Sequence, residues 1–252
     1  MKELHCPTYL QPYADRIRNE IKVAYRSAFP PVETITLSPV QIADSLSIFA
    51  ERISNDGLDQ AIKSFAKSDF PKEKFVLCAV PRDEFRSKNA KTTGKFVVDG
   101  EYSLVLGYLR EKQAEPLWIG IVSFFLGLED DHRIAKETGF TEPFPLIVQI
   151  QGAADWSYDT EEKYEDAKRV LRKLKWERAL VTMVLEWAEE NGIPAVYLLP
   201  SSLNLYWGSD ERNKNLHMRY DVTAKRLGFQ LQENGLFRAL IDVSSNGDSP
   251  QS

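Results

Sequence analysis

The chain contains few residues that bind metals or form disulfides. Its 252 residues include only two cysteines, Cys6 and Cys78, and three histidines that lie far apart along the sequence. Two cysteines are too few for a disulfide framework, and they lack the close spacing of paired zinc ligands. The sequence therefore argues against a disulfide-rich secreted domain and predicts no metal site.

Long apolar runs and an excess of positive charge are also missing. The most apolar segment, PLWIGIVSFFLGLE, is too short to cross a bilayer, and the first twenty residues lack the apolar core of a signal peptide. The net charge of -5 argues against a broad nucleic-acid surface and leaves only a local basic patch open. We therefore expect a cytoplasmic protein that does not span a membrane.

The composition is that of an ordinary globular protein, with 43% hydrophobic and 27% charged residues. A chain of this length can bury a large core. We expect one domain over residues 31–243, preceded by a helical extension at residues 1–30. The polar end of the chain, residues 244–252, is expected to be a disordered tail.

Hydrophobic periodicity predicts a mixed order of helices and strands. Helical spacing of apolar residues predicts helices at 40–54, 58–68, 159–173, 175–190 and 217–229, and the third of these is free to merge with the fourth. Short apolar or alternating runs predict strands at 32–37, 74–81, 102–110, 117–127, 145–152, 195–202 and 236–243. The expected fold class is α/β (α+β), with a mixed, mostly antiparallel central sheet flanked by helices.

This order of elements resembles the GNAT superfamily of N-acetyltransferases. The segment ERALVTMVLEWAEENGIPAVYLLPS looks like the third helix and fifth strand of that family, and YDVTAKRLGFQ looks like its fourth helix. ETITLSPVQIADSLSIFAERI is similar to the first strand and helix, so the resemblance covers residues 32–242. It implies a divergent acyltransferase that moves an acyl group from acetyl-CoA, or another acyl-CoA, to an amine acceptor.

The resemblance also implies where the acyl-CoA binds. In the family, a loop of the form Gln/Arg-x-x-Gly-x-Gly/Ala opens the third helix and holds the pyrophosphate; here Lys175 and Glu177 replace the two small residues. The implied cofactor-binding residues are the side chains that replace the glycine loop, the backbone of the fourth strand and a polar residue after the fifth strand: Arg172, Lys173, Lys175, Arg178, Ile150, Gln151, Gly152 and Asn204. The turn QGAADWS, which follows the fourth strand directly, is the alternative pyrophosphate site.

The same resemblance implies a catalytic acid and a catalytic base. The family often uses a tyrosine of the fourth helix as the general acid, and its usual place is occupied here by Ala224. Tyr220 lies one helical turn earlier on the same face and is the expected substitute. The base is expected at the end of the strand predicted at 117–127, where Glu129, Asp130 and His132 lie; of these, Glu129 and His132 are the candidates chosen.

Two further interpretations stay open. The missing glycines and Ala224 favour a GNAT-shaped binding or interaction domain without catalysis. An unrelated α/β protein with the same order of elements is the third interpretation. Among the tryptophans, Trp207 lies in a polar loop and is the one expected to contact a ligand.

Overall fold

The computed structural model describes residues 39–56, 58–67, 74–81, 99–109, 115–126, 144–152, 160–204, 206–233 and 235–241. The expected N-terminal extension, the strand at 32–37 and the C-terminal tail lie outside these residues. Two expected catalytic residues, Glu129 and His132, also lie outside them.

The described residues form helices and strands in the expected order. The α-helices are α1 (Pro39–Asp56), α2 (Leu58–Phe65), α3 (Glu161–Lys173), α4 (Trp176–Glu190), α5 (Asp210–Arg219) and α6 (Asp221–Arg226). The strands are β1 (Lys74–Pro81), β2 (Tyr102–Leu109), β3 (Leu117–Phe125), β4 (Leu146–Gly152), β5 (Ala195–Leu198), β6 (Gln230–Leu231) and β7 (Phe237–Leu240). A short 3₁₀ helix, Ser201–Leu203, follows β5.

These strands form one sheet in the order β1-β2-β3-β4-β5-β7-β6. Every neighbouring pair is antiparallel except β4 and β5, which run parallel. The expected fold class, a mixed and mostly antiparallel sheet with flanking helices, is confirmed. The sheet is open, since β1 and β6 lie at its two ends.

Side chains of β2 and β3 divide the sheet into two faces. On the helix face, Phe124 packs against Trp187 of α4 at 5.5 Å between ring centroids, and the Tyr108 hydroxyl donates to Asp166 of α3. On the opposite face, Val105 and Ile121 are fully buried in a separate small cluster. The alternation follows from the pleat of a strand, which sends successive side chains to opposite sides.

The structure separates α3 from α4, so the merged helix that the sequence left open does not form. Leu174 between them is extended, with φ -112° and ψ 143°. It forms a bridge with Ala66, which follows α2, and the amide of Lys67 donates to the Lys173 carbonyl at 2.7 Å. The segment after α2 thus provides hydrogen-bond partners for the backbone between α3 and α4. The helix can therefore break here without glycine or proline.

The prediction for the last helical region was also incomplete. Helix α5 begins at Asp210, inside the stretch expected to be a polar loop, and Tyr220 separates it from α6. Strand β6 was not predicted. Gly192 and Gly228 follow the ends of α4 and α6 and have φ +66° and +81°, the left-handed region that glycine adopts readily.

Within the described ranges, no helix has both the length and the apolar character needed to cross a bilayer. The same ranges contain no group of three or more His, Cys, Asp or Glu side chains placed to hold a metal ion. A cytoplasmic location stays a prediction.

Candidate functional site

Strands β4 and β5 pair over only two residues and then part. The paired residues are Leu146 with Tyr197 and Ile147 with Leu198. The last hydrogen bond between the strands runs from the Leu199 amide to the Ile147 carbonyl, at 2.9 Å. β4 continues to Gly152, whereas β5 ends at Leu198. The far half of β4 therefore faces a split in the sheet.

A β-bulge lies where the split begins. Ser123 of β3 pairs with Gln149, whereas the next residue of β3, Phe124, pairs with Ile147, so Val148 is the extra residue on β4. A bulge bends its strand and changes the direction of its backbone groups. At the bulge and just after it, the Val148 carbonyl and the Ile150 amide both hydrogen-bond to one side chain.

That side chain is Tyr220. Its hydroxyl accepts a hydrogen bond from the Ile150 amide at 3.0 Å and lies 3.4 Å from the Val148 carbonyl, to which it donates. The Asn204 side chain lies near the hydroxyl and favours its ionised form. Tyr220 is only 2% exposed. It thus serves the backbone groups of β4 that a neighbouring strand would otherwise bind.

Burial raises the pKa of the Tyr220 hydroxyl, and the negative charge of Asp99 raises it further. The hydrogen bond from Ile150 and the polar Asn204 side chain act in the opposite direction and do not cancel the effect of burial. The hydroxyl therefore keeps its proton at neutral pH. Tyr220 is a proton donor placed beside a backbone N–H group at the buried end of the split.

A polar anchor fixes the chain next to Tyr220. One carboxylate, that of Asp221 at the start of α6, accepts from the Ser201 amide at 2.8 Å and from the Ser201 hydroxyl at 2.6 Å. The same carboxylate lies 2.7 Å from His217 Nδ1 in α5. Since Ser201 follows β5, the anchor joins the end of β5 to the junction of α5 and α6, where Tyr220 lies.

The amino end of α4 is filled by an aromatic side chain. Trp176 packs across Gly120 of β3 and Gly152 of β4, which are paired in the sheet. A Cβ atom at Gly120 would lie 2.9 Å from the Trp176 ring, and one at Gly152 would lie 3.3 Å from it. The Arg219 guanidinium lies 5.8 Å from the centre of the same ring. The two glycines therefore make room for the indole on the helix face.

Glu177 places a carboxylate at the same helix end. The carboxylate is partly buried in the first turn of α4, close to the backbone N–H groups that a helix start leaves without an internal partner. The positive charges of Arg219, Lys67 and Arg178 act on it. An acidic side chain of the protein itself thus already lies at this helix end.

No protein-family model matches this chain, and no curated protein shows a significant match to its sequence. The resemblance to GNAT proteins stays a prediction. What the site can do chemically has to be argued from its geometry.

The structure brings some of the expected site residues together and separates others. Tyr220, Ile150 and Asn204 meet at the split. Gly152 lies under Trp176, and the Gln151 side chain faces away from the helices, where its oxygen accepts from Gln149 at 2.7 Å.

The cationic residues lie in two different elements. Arg172 and Lys173 belong to the last turn of α3, so they do not open α4 as the sequence comparison implied. Lys175 is the residue before α4, and its amide donates to the Phe65 carbonyl at 3.0 Å. Arg178, in the first turn of α4, is the expected cation that lies beside Glu177. The alternative turn, beyond Gly152, falls outside the described residues.

Sequence reasoning missed three features of the site. The packing of Trp176 on Gly120 and Gly152 was not predicted, because it depends on the register between β3 and β4, which no local sequence pattern reveals. The anchor at Asp221 joins residues twenty apart, and the position of Asp99 near Tyr220 depends on the fold. Trp207, the tryptophan expected to contact a ligand, is half-buried and packs against the core.

The carboxylate of Glu177 provides a test of this local electrostatic picture. Burial raises its pKa above the ordinary glutamate value, in spite of the neighbouring cations. The folded state therefore holds the proton more tightly than the unfolded state, so Glu177 makes stability fall as pH rises from the ordinary pKa to the raised one. We expect Glu177→Gln to remove this fall and to be more stable than the wild type at neutral pH.

The measurement is denaturant unfolding of both proteins from about pH 4 to about pH 8, spanning the usual glutamate range. Glu161→Gln, in the first turn of α3, is the control for removing one acidic charge from a helix start. A wild-type advantage over Glu177→Gln that grows with pH would contradict the prediction.

Proposed function

We propose that this chain is an acyl-CoA-dependent N-acyltransferase of the GNAT type, acting on an amine acceptor. The observation that carries the proposal is the Ile150 N–H group at the split. It is buried, it points away from β3, and its partner is a side-chain hydroxyl of Tyr220 rather than a strand. A hydrogen bond to a side chain can be exchanged for one to a ligand without unpairing the sheet.

Ile150 and Tyr220 supply two of the groups that this reaction needs: an N–H donor for the oxyanion and an acid for the departing thiolate. Acyl-CoA supplies an activated acyl group as a thioester. The thioester carbonyl takes the place of the Tyr220 oxygen as the acceptor for the Ile150 N–H, which then stabilises the oxyanion that forms when the amine attacks. The C–N bond forms, the C–S bond breaks, and the Tyr220 hydroxyl gives its proton to the departing thiolate.

The amine must lose a proton in the same reaction. Glu129 and His132, which stay the predicted bases, lie outside the described residues. An amine that reaches the site already unprotonated gives up one proton after the attack, and this proton replaces the one that Tyr220 gave to the thiolate. Most of the remaining rate enhancement comes from holding the two reactants together.

The pyrophosphate end would be held differently from the glycine loop of the family. Glu177 places a carboxyl group in the first turn of α4, and Trp176 packs over Gly120 and Gly152. Positively charged side chains surround this end of α4, with Arg219, Lys67 and Arg178 acting on Glu177. We therefore assign the phosphate contacts to side chains, with Arg178 as the central one.

Thermal unfolding with and without acetyl-CoA, followed by calorimetry, tests the proposal. A ligand specific for the folded state adds about 2.7 kcal/mol of stability at a hundred times its Kd, so the melting temperature should rise. Arg178→Ala should weaken binding, whereas Arg172→Ala, which removes an exposed charge in the last turn of α3, serves as its matched control. The absence of any stabilisation at millimolar acetyl-CoA would contradict the proposal.

A second candidate is a GNAT-shaped binding domain without catalysis. The observation that favours it is the filling of the split by Tyr220 and of the α4 end by Trp176, both of which are almost fully buried. Release of free CoA thiol in the presence of acetyl-CoA and a panel of amines separates the two candidates. Binding without thiol release would favour the second.

A further inference from the structure

A row of buried polar side chains crosses the opposite face of the sheet. Ser103 of β2, Ser123 of β3 and Gln149 of β4 are neighbours by strand register, and each is at most 3% exposed. Polar groups are buried in this way only when their hydrogen bonds are made, because an unmade bond costs about 1–3 kcal/mol. The donor and the acceptor of each of those bonds can therefore be assigned.

The row has a fixed direction because one of its donors is a backbone amide. The Asp99 N–H donates to the Gln149 side chain at 3.1 Å, so the atom that it meets must be the amide oxygen. The Ser123 hydroxyl donates to the same oxygen at 2.8 Å, which leaves the Ser103 hydroxyl as the donor in its 2.9 Å contact with Ser123. Every proton in the row points towards β4.

Gln149 then fixes the orientation of Gln151. With its oxygen occupied, Gln149 donates through Nε2 to the Gln151 side-chain oxygen at 2.7 Å. Gln151 must therefore present its NH₂ group on the other side. No acceptor for that group lies among the described residues, and Gln151 is only half-buried. The row ends in a pair of oriented N–H donors one residue from Ile150.

The two faces of the sheet separate the two reactants. Trp176 and the cations around the amino end of α4 lie on the helix face, where Trp176 packs on Gly152. An acyl donor held by that end reaches the split from the helix face. The acceptor must then approach the acyl carbon from the opposite face, which is where Gln151 points.

We infer that Gln151 binds the acceptor, and that the acceptor is an amine with a carbonyl oxygen close to its amino group, as in an amino acid, an amino-acid amide or a peptide amino terminus. The oriented N–H donors of Gln151 take that oxygen and hold the amine beside Ile150. An alkylamine of the same size would leave these donors without a partner. This inference rests on the proposed acyltransferase function.

The test compares alaninamide with 3-methylbutan-2-amine, in which an isopropyl group of the same size replaces the carboxamide, as acceptors for the full chain with acetyl-CoA, at equal concentrations of unprotonated amine. One hydrogen bond is worth about tenfold, so kcat/KM should favour alaninamide by at least about that factor. Alanine and a short peptide with amino-terminal alanine show whether a carboxylate or a peptide carbonyl is the preferred form.

Gln151→Glu keeps an oxygen towards Gln149 but replaces the donors by a second acceptor. The ratio of kcat/KM for alaninamide to that for the alkylamine should therefore fall to about one, because the hydrogen bond to the carbonyl oxygen is lost. Ser103→Ala removes the far end of the row and should retain the preference. Turnover without preference, or a preference that survives in Gln151→Glu, overturns the inference and leaves the acyltransferase in place. A lack of both turnover and stabilisation by acetyl-CoA overturns both.

Discussion

Tyr220→Phe is expected to lower kcat for acyl transfer by about 10²–10⁴-fold, the range that general acid catalysis contributes. The phenylalanine keeps the ring that fills the split and removes only the hydroxyl beside Ile150. Without this proton donor, the thiolate must leave unprotonated. Steady-state release of CoA thiol from acetyl-CoA, at saturating amine, measures the effect.

The same substitution should also change stability in a way that acetyl-CoA reverses. Loss of the hydroxyl leaves the Ile150 N–H and the Val148 carbonyl without their buried partner, at a cost of about 1–3 kcal/mol. A thioester carbonyl would restore the partner of Ile150. We therefore expect acetyl-CoA to stabilise Tyr220→Phe at least as much as it stabilises the wild type.

Tyr108→Phe is the matched control. It also removes a buried tyrosine hydroxyl with a strong partner, the Asp166 carboxylate, but it acts on the helix face away from the split. It should reduce stability without changing kcat for the folded protein. If both variants lower kcat equally, Tyr220 is a structural residue and the assigned acid is wrong.

Much of the sheet was predictable because its strands have local signatures. Strand β1 has the bounds expected from KFVLCAVP, and β2 to β4 begin and end within two residues of the expected positions. These strands are mostly apolar and are bounded by polar segments. Helix α4 was predictable for a similar reason, since Leu180, Met183 and Trp187 repeat at helical spacing and are all buried.

Elements set by distant partners were not predictable. Leu174 is a good helix former, but the bridge to Ala66 holds it extended. Helix α5 buries only Leu216 among its ten residues, so it has no apolar period to reveal it. In both places the tertiary environment decides, and a single sequence carries no signal of it.

In the candidate site, too, some features have a local sequence signature and others depend on residues that are distant in sequence. Tyr220 was identified through the resemblance to GNAT proteins, one helical turn before the family's usual tyrosine position at Ala224, and its hydroxyl meets the backbone of β4. Its role as an acid stays a prediction. The bulge at Val148, which turns that backbone towards Tyr220, depends on the register between β3 and β4. The direction of the polar row depends on a single backbone contact, from Asp99 to Gln149. Such contacts join residues that are distant in sequence.

Trp176→Ala is expected to destabilise the fold by about 3–5 kcal/mol, the usual cost of truncating a buried aromatic side chain. Trp176 is 4% exposed, and its ring is the contact that fills the trough over Gly120 and Gly152. The sheet residues under the indole cannot fill the cavity that its removal would leave, since both are glycines. Denaturant unfolding of the folded variant, compared with the wild type, measures the loss.

Gly120→Ala shows whether that contact is the cause. An added Cβ would lie 2.9 Å from Trp176 Cε3, so the alanine should cost about 1–3 kcal/mol by overpacking. In the Trp176→Ala background the ring is gone, and the same alanine should cost little or even restore some stability by filling the cavity. The double variant is therefore expected to lose less than the sum of the single losses, because the two sites share one contact. Additive losses would mean that the indole does not rest on Gly120, and that the amino end of α4 is not filled in the way that separates it from a glycine loop.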